Sequence, residues 1–221
     1  MSKEDLTFSS IGISRLRIIN DAEGVTTLAA GHGCTLRCRY CINPQCFLKS
    51  RPHSVFTVKE LIDTVRIDDL YFQATGGGVV FGGGEPLLQA DFIHEFCASC
   101  PEEWRISLES SLAVPKQELE KVIGDIDFYL IDIKDMNPVI YRSYTGRDNT
   151  LVLGNLEFLA SNGLQEKIRV RIPLIEGYNS REDVEKSKAC LEKMGFRNFD
   201  LFRYNIVRAE EKTNSITGDK K

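Results

Sequence analysis

The stretch GHGCTLRCRYC, residues 31–41, follows a short apolar run and places three cysteines on one loop. They are Cys34, Cys38 and Cys41, separated by three and then two residues. Thiolates bind zinc and the irons of iron–sulfur clusters. Three thiolates can hold three irons of a [4Fe–4S] cluster and leave the fourth iron open to an external ligand. The rival metal is zinc, which needs a fourth ligand, and the candidates are Cys46, His32 and His53.

Apolar strands and helices alternate along the chain around this loop. The predicted strands are 25–31, 78–83, 105–111, 127–134, 167–175 and 198–206. The predicted helices are 57–75, 86–103, 114–126, 150–163 and 180–195. Near-continuous apolar strands separated by helices indicate a parallel α/β sheet with right-handed crossovers. The pattern fits a doubly wound sheet or a partial barrel, and both bind ligands at the carboxyl ends of the strands.

Polar and glycine-rich clusters follow several of these strands. GGGEP (82–86) follows the second strand, Glu109 and Ser110 end the third, and Asp132 and Lys134 end the fourth. A ribose or a bound cation would satisfy Glu109 and Ser110. Asp132 and Lys134 point to one face of their strand, either as an ion pair or as ligand contacts. We therefore expect one active site at this edge of the sheet.

Composition narrows the class of protein. The 221 residues carry a net charge of −4, which makes general nucleic-acid binding a poor hypothesis. No signal-peptide core and no apolar run of about 18 residues is present, so we expect a cytoplasmic protein without membrane segments. Seven cysteines, an odd number, favour metal ligands and free thiols over disulfides. The expected organisation is an extension at 1–24, one domain at 25–206 and a polar, disordered tail at 207–221.

The cysteine spacing, with aromatic Tyr40 before the third cysteine, resembles the signature of the radical S-adenosylmethionine (SAM) superfamily. The resemblance implies that Cys34, Cys38 and Cys41 hold one [4Fe–4S] cluster whose open iron binds SAM. It also implies that Tyr40 lies near the adenine. The fold it implies is a partial (βα)6 barrel of the TIM type with parallel strands.

The second motif of that superfamily is similar to GGEP here. The likeness implies that Gly83, Gly84 and Glu85 contact the amino group of SAM through backbone and carboxylate. Cys97 and Cys100 lie on a predicted amphipathic helix, where we expect core packing rather than metal binding. No cysteine-rich insert lies between Cys46 and Gly82, so we expect a single cluster.

Longer stretches resemble activating enzymes of glycyl radical enzymes, of the pyruvate formate-lyase type. These stretches are CINP (41–44), GGGEPLLQADF (82–92), YLIDIKDMNPVIYRSYTG (129–146) and VRIPLIEGYN (170–179). The resemblance implies that Asp132 and Lys134 bind SAM, that Arg171 faces its carboxylate, and that Asn205 contacts the adenine side.

The activity that the family resemblance implies is reductive cleavage of SAM to methionine and a 5′-deoxyadenosyl radical. That radical would abstract hydrogen from a glycine of a partner enzyme, with flavodoxin or ferredoxin as the electron donor to a monomeric protein. A monovalent cation near SAM is a further expectation. The alternatives are a radical SAM enzyme acting on a small molecule or peptide, and a non-catalytic zinc module.

Overall fold

A computed structural model describes residues 6–18, 22–47 and 54–204, and within these ranges eight strands form a single sheet. The strands are β1 Thr7–Arg17, β2 Thr26–Gly31, β3 Ser54–Thr57, β4 Gly78–Gly83, β5 Arg105–Ser110, β6 Phe128–Asp132, β7 Ile168–Leu174 and β8 Asn198–Arg203. Their order is β3-β1-β2-β4-β5-β6-β7-β8. From β2 to β8 every neighbouring pair is parallel, which confirms the predicted parallel α/β architecture of six strands. The open parallel sheet matches a partial barrel of the TIM type.

Two strands, β1 and β3, were not predicted from the sequence. Strand β1 pairs antiparallel with β2 on one side and with β3 on the other. Its sequence, TFSSIGISRLR, places single apolar residues among polar ones and glycine instead of forming an apolar run. It falls within the expected extension at 1–24, and the predicted domain boundaries remain a prediction.

Seven α-helices occur in the described ranges. They are α1 Val58–Val65, α2 Asp69–Thr75, α3 Ala90–Ser99, α4 Lys116–Glu120, α5 Pro138–Thr145, α6 Thr150–Ser161 and α7 Arg181–Lys193. Thr57 caps α1 in a capping box with Glu60, and Ser180 caps α7 in the same way with Asp183. None of these helices combines the length and the apolarity that crossing a bilayer requires.

The predicted helix over 57–75 is interrupted by a 3-10 turn, Arg66–Asp68. The helical pattern of residues 57–75 predicts a solvated face at Asp68 and Asp69, but Asp68 lies at this turn with its side chain fully buried, so the prediction was wrong for Asp68. Its carboxylate accepts hydrogen bonds from Arg15 of β1 and from Thr27 of β2. The break in the helix thus places one carboxylate against two strands.

The register of the parallel strands sets the position of the candidate site. Gly31 lies opposite Gly83, Ser110 opposite Ile131, and Asp132 opposite Arg171. The carboxyl ends of β2, β4, β5 and β6 therefore meet at one edge of the sheet, where the predicted clusters come together.

Candidate functional site

A cavity of about 440 Å³ lies at this edge. Most of the predicted site residues line it: Cys34, Cys38, Cys41, Gly83, Gly84, Glu109, Ser110, Asp132, Lys134 and Arg171. Among the other lining residues are Arg17, Asn43, Ser111, Tyr144, Asp200, Phe202 and Tyr204. Of the predicted residues, Tyr40 and Glu85 are absent from the lining, and Asn205 lies outside the described residues.

Backbone hydrogen bonds fix the cysteine loop to its neighbours. The N–H of Arg37 donates to the Thr145 carbonyl at 3.0 Å, and the N–H of Arg39 donates to the Tyr144 carbonyl at 3.1 Å. These acceptors are the last carbonyls of α5, which a helix leaves without internal partners. The amide of Asn43 donates to the Gly83 carbonyl at 2.9 Å and so joins the cysteine loop to the glycine loop.

The protonation of the thiols reflects their surroundings. Burial raises the pKa of Cys34 to about 12, and it also raises the pKa of Cys38. A hydrogen bond from Cys46 lowers the pKa of Cys41 to about 6, and the same bond raises the pKa of Cys46. Metal binding to this loop therefore has to displace protons from Cys34 and Cys38.

The donor set fits an iron–sulfur cluster. In the ranges that the structure describes, no group of three or more Cys, His, Asp and Glu side chains is arranged to hold a metal ion. A single zinc ion needs all its sulfur ligands about 2.3 Å from one point, whereas each cysteine of a [4Fe–4S] cluster binds a separate iron. The three thiols line one cavity, where each can bind a separate iron of such a cluster.

The glycine loop is shaped by the cysteine loop as well as by the cavity. A Cβ atom on Gly84 would lie 2.0 Å from the Gly33 carbonyl oxygen, and Gly83 has a φ of +90°. The N–H of Gly84 donates to Gly31, and the N–H of Glu85 donates to Gly33. Residue 84 must therefore be glycine because the backbone of the cysteine loop lies against it. This requirement holds whether or not a ligand also approaches the glycine loop.

The Glu85 carboxylate bonds to other groups of the protein and does not line the cavity. Its carboxylate is fully buried and accepts hydrogen bonds from the hydroxyls of Ser110 and Ser111 at 2.7 Å each. The N–H groups of Ser111 and Leu87 also donate to it. Burial raises the pKa of Glu85, while these donors act in the opposite direction. The carboxylate ties the glycine loop to the end of β5.

Four charged side chains form a chain of ion pairs in the cavity. Arg171 bonds to Glu109, and its Nε lies 2.5 Å from Asp132. Lys134 lies 3.1 Å from the other oxygen of Asp132. Burial opposes the charge on Asp132, Lys134 and Arg171. Their mutual attraction nevertheless lowers the pKa of Asp132 and raises the pKa values of Lys134 and Arg171. All three therefore remain charged at neutral pH.

Tyr40 belongs to an aromatic cluster beside the cavity. Its ring meets Tyr178 edge-on at 5.7 Å and lies 6.2 Å from Tyr144. Tyr204 donates its hydroxyl hydrogen to the Tyr40 carbonyl. This bond links the cysteine loop to the residue that follows β8.

Sequence reasoning missed several cavity residues, although a signal for some of them exists. Asp200, Phe202 and Tyr204 are spaced by two, so they lie on one face of the chain at β8. Because successive side chains of a strand point to opposite faces, this spacing could have placed the three residues on the cavity side, with Leu201 and Arg203 on the other side. Arg17 had no such signal, because strand β1 was not predicted.

Several curated proteins are similar to this chain in sequence. The chain is 36% identical over 129 residues to the 4-hydroxyphenylacetate decarboxylase activating enzyme of Clostridioides difficile (strain 630), covering 58% of this chain and 40% of that protein. It is 31% identical over 170 residues to the pyruvate formate-lyase-activating enzyme of Staphylococcus aureus (strain USA300), covering 74% of this chain and 67% of that protein.

A solved structure, a domain of pyruvate-formate lyase-activating enzyme from Bacteroides vulgatus ATCC 8482, matches with a TM-score of 0.52 and 27% identity. It covers 64% of this chain and 91% of that chain. The chain therefore spans between 40% and 67% of the two curated relatives. A family model described as the Radical SAM superfamily matches residues 28–188. With the cysteine loop inside that match, the chain belongs to the radical SAM superfamily.

Proposed function

We propose that this chain is a radical SAM enzyme that installs a glycyl radical on a partner enzyme. The observation that carries the proposal is the single cavity that brings the three cysteines together with the charged network of β5, β6 and β7. The printed names of the relatives, which are activating enzymes, supply the reaction class. The zinc module is not favoured, because the superfamily uses an iron–sulfur cluster with SAM.

Cys34, Cys38 and Cys41 would hold the [4Fe–4S] cluster. The chemistry that such a cluster would supply when bound is one-electron reduction of SAM to methionine and a 5′-deoxyadenosyl radical. The chain itself would supply thiolates of soft character on a loop that hydrogen bonds to α5 hold in place. The hydrogen bond between Asn43 and Gly83 keeps the cysteine loop and the glycine loop in fixed relation.

The ion-pair chain suits the methionine part of SAM, which carries an ammonium group and a carboxylate. Arg171 and Lys134 offer positive charge to the carboxylate, while Asp132 and Glu109 offer negative charge to the ammonium group. Both cations remain protonated at neutral pH, so no proton transfer is needed on binding. Glu109 and Ser110 could instead bind the ribose, or a monovalent cation near SAM.

The proposed roles of the remaining residues follow from the superfamily motifs. Gly83 and Gly84 would present backbone groups to the ammonium group, and Glu85 would hold that loop in place through Ser110 and Ser111. Tyr40 and Asn205 remain proposed neighbours of the adenine. The electron donor would be a reduced flavodoxin or ferredoxin. The protein itself would be a monomer.

The experiment is an anaerobic assay with SAM, a reductant and a candidate glycyl radical enzyme. Electron paramagnetic resonance would detect the radical on the partner, and chromatography would quantify 5′-deoxyadenosine. We expect both, and we expect the radical to vanish when the target glycine of the partner is replaced by alanine. SAM cleavage with no radical on any partner would contradict glycyl activation and favour a small-molecule or peptide substrate.

A further inference from the structure

Helix α5 is fixed against the cysteine loop at its C-terminal end. Its last carbonyls, of Tyr144 and Thr145, accept hydrogen bonds from two N–H groups between the first and third cysteines. Its first turn is capped by Asn137, whose side chain accepts from the N–H groups of Val139 and Ile140. The face of α5 that meets the loop is therefore set by hydrogen bonds as well as by packing.

Tyr141 lies on that face, one turn before Tyr144 and Thr145. Its side chain is 1% exposed, and its hydroxyl has no hydrogen-bond partner within residues 6–18, 22–47 and 54–204. Thr35, between the first two cysteines, carries a second buried hydroxyl that lacks a partner in the same ranges. Buried hydroxyls are nearly always bonded in native proteins, so the Tyr141 hydroxyl, on the helix that packs against the cysteine loop, is matched to an acceptor other than these protein groups.

The contacts of α5 identify the part of the cysteine loop that lies beside Tyr141. The two N–H groups that bond to the end of α5 belong to Arg37 and Arg39, which flank Cys38 in the chain. Cys38 lines the cavity together with Lys134. Burial raises the pKa of Tyr141, and Cys38 acts in the same direction. Cluster sulfur would be a hydrogen-bond acceptor in this region.

We propose that Tyr141 donates a hydrogen bond to sulfur at the Cys38 corner of the iron–sulfur cluster and thereby raises the reduction potential of that cluster. The proposal rests on the proposed function, since it requires the cluster. One-electron reduction adds negative charge to the cluster, and a donor to sulfur stabilises the reduced form more than the oxidised form. Tyr141 would thus ease electron transfer from the reductant.

The test compares Tyr141→Phe with a matched control, Tyr129→Phe. Tyr129 is another fully buried tyrosine, but its hydroxyl donates to the Ile123 carbonyl away from the cysteine loop. Each protein would be reconstituted anaerobically with iron and sulfide and titrated with dithionite, while electron paramagnetic resonance follows the reduced cluster. We expect Tyr141→Phe to lower the equilibrium constant for reduction about tenfold, a shift of about −59 mV for one electron. The control should match the wild type.

Clusters with equal potentials in the wild type and Tyr141→Phe would overturn the inference and leave the proposed function intact. A wild type that binds no cluster would overturn both. Thermal unfolding of the cluster-free proteins gives a second readout. Tyr141→Phe should unfold at or above the wild-type temperature, because no bond is lost, whereas Tyr129→Phe should unfold below it. A lower temperature for Tyr141→Phe would show that a protein atom binds the hydroxyl, which would refute the inference.

Discussion

Arg171 compensates the negative charges of two carboxylates in the cavity. Its guanidinium contacts both Glu109 and Asp132, and all three side chains are largely buried, with between 13% and 22% of each exposed. Removing one member of a buried ion pair is costly because the partner charge remains without compensation. The family resemblance predicted that Arg171 faces a carboxylate of SAM, and the structure pairs it with carboxylates of the protein.

Replacing Arg171 by methionine should lower the free energy of unfolding by about 3 kcal/mol, because two carboxylates lose their shared cation. Urea unfolding of the cluster-free protein measures this change. The matched control is Arg203→Met, which breaks the exposed pair of Arg203 with Glu176 and should leave stability unchanged. Equal stability of Arg171→Met and the wild type would show that the network contributes nothing to folding.

The glycine loop and the cysteine loop are two elements that share one backbone interface. Gly84 packs directly on Gly33, so the position of the cysteines depends on a residue that carries no metal-binding group. The sequence predicted glycines there for approach to a ligand. Contact with a loop distant in sequence could not be read from a local pattern, because it depends on the pairing of β2 with β4.

Replacing Gly84 by alanine should reduce the iron content after anaerobic reconstitution by at least tenfold. The new Cβ would lie 2.0 Å from the Gly33 carbonyl oxygen, so the cysteine loop has to move. Gly124→Ala is the control, since a Cβ there would meet nothing within 4 Å. Iron and sulfide analysis measures the outcome. A Gly84→Ala protein with full cluster content would show that the two loops are not coupled.

Asp68 joins the helical region to the edge of the sheet. It bonds Arg15 of β1 and Thr27 of β2, and these two strands are antiparallel neighbours. Its burial was missed because its partner Arg15 lies on a strand that was itself missed. A helical period alone places such a residue on the surface, and only the tertiary pairing reverses that assignment.

The hydrogen bonds and charge of Arg15 hold the pKa of Asp68 below its usual value of 3.8, although burial acts in the opposite direction. A lowered pKa in the folded state gives stability that is present above the unfolded pKa and lost as pH falls through the folded value. Asp68→Asn should therefore cost about 1–3 kcal/mol at pH 7, and this cost should decline as the pH falls below the unfolded pKa, measured by urea unfolding.

Asp63→Asn, which breaks an exposed pair with Lys59, is the control for this pH dependence and should show little change at either pH. If Asp68→Asn lost the same stability at pH 3 as at pH 7, the ionised carboxylate would not be the source of the effect. If it lost none at pH 7, the buried pair would not stabilise the fold.

At the scale of the whole molecule, the parallel strands and the edge that holds the site were predictable. Continuous apolar runs such as residues 127–134 identify buried parallel strands, and topology then brings their carboxyl ends together. Strands β1 and β3 were not predictable in this way, because neither is a continuous apolar run. Strand β1 is recognised as a strand by its pairing with β2, and β3 by its pairing with β1. The cavity could be located from the sequence, whereas its ion pairs required the folded structure.

The central claim is that the three-cysteine loop binds a cluster that cleaves SAM. The measurement is the yield of 5′-deoxyadenosine from SAM by anaerobically reconstituted, chemically reduced protein, with bound iron, sulfide and zinc determined on the same sample. We predict iron and sulfide with 5′-deoxyadenosine for the wild type and for Cys97→Ala, and none for alanine variants of Cys34, Cys38 or Cys41. Zinc in place of iron and sulfide, or a filled cluster that releases no 5′-deoxyadenosine, would contradict the claim.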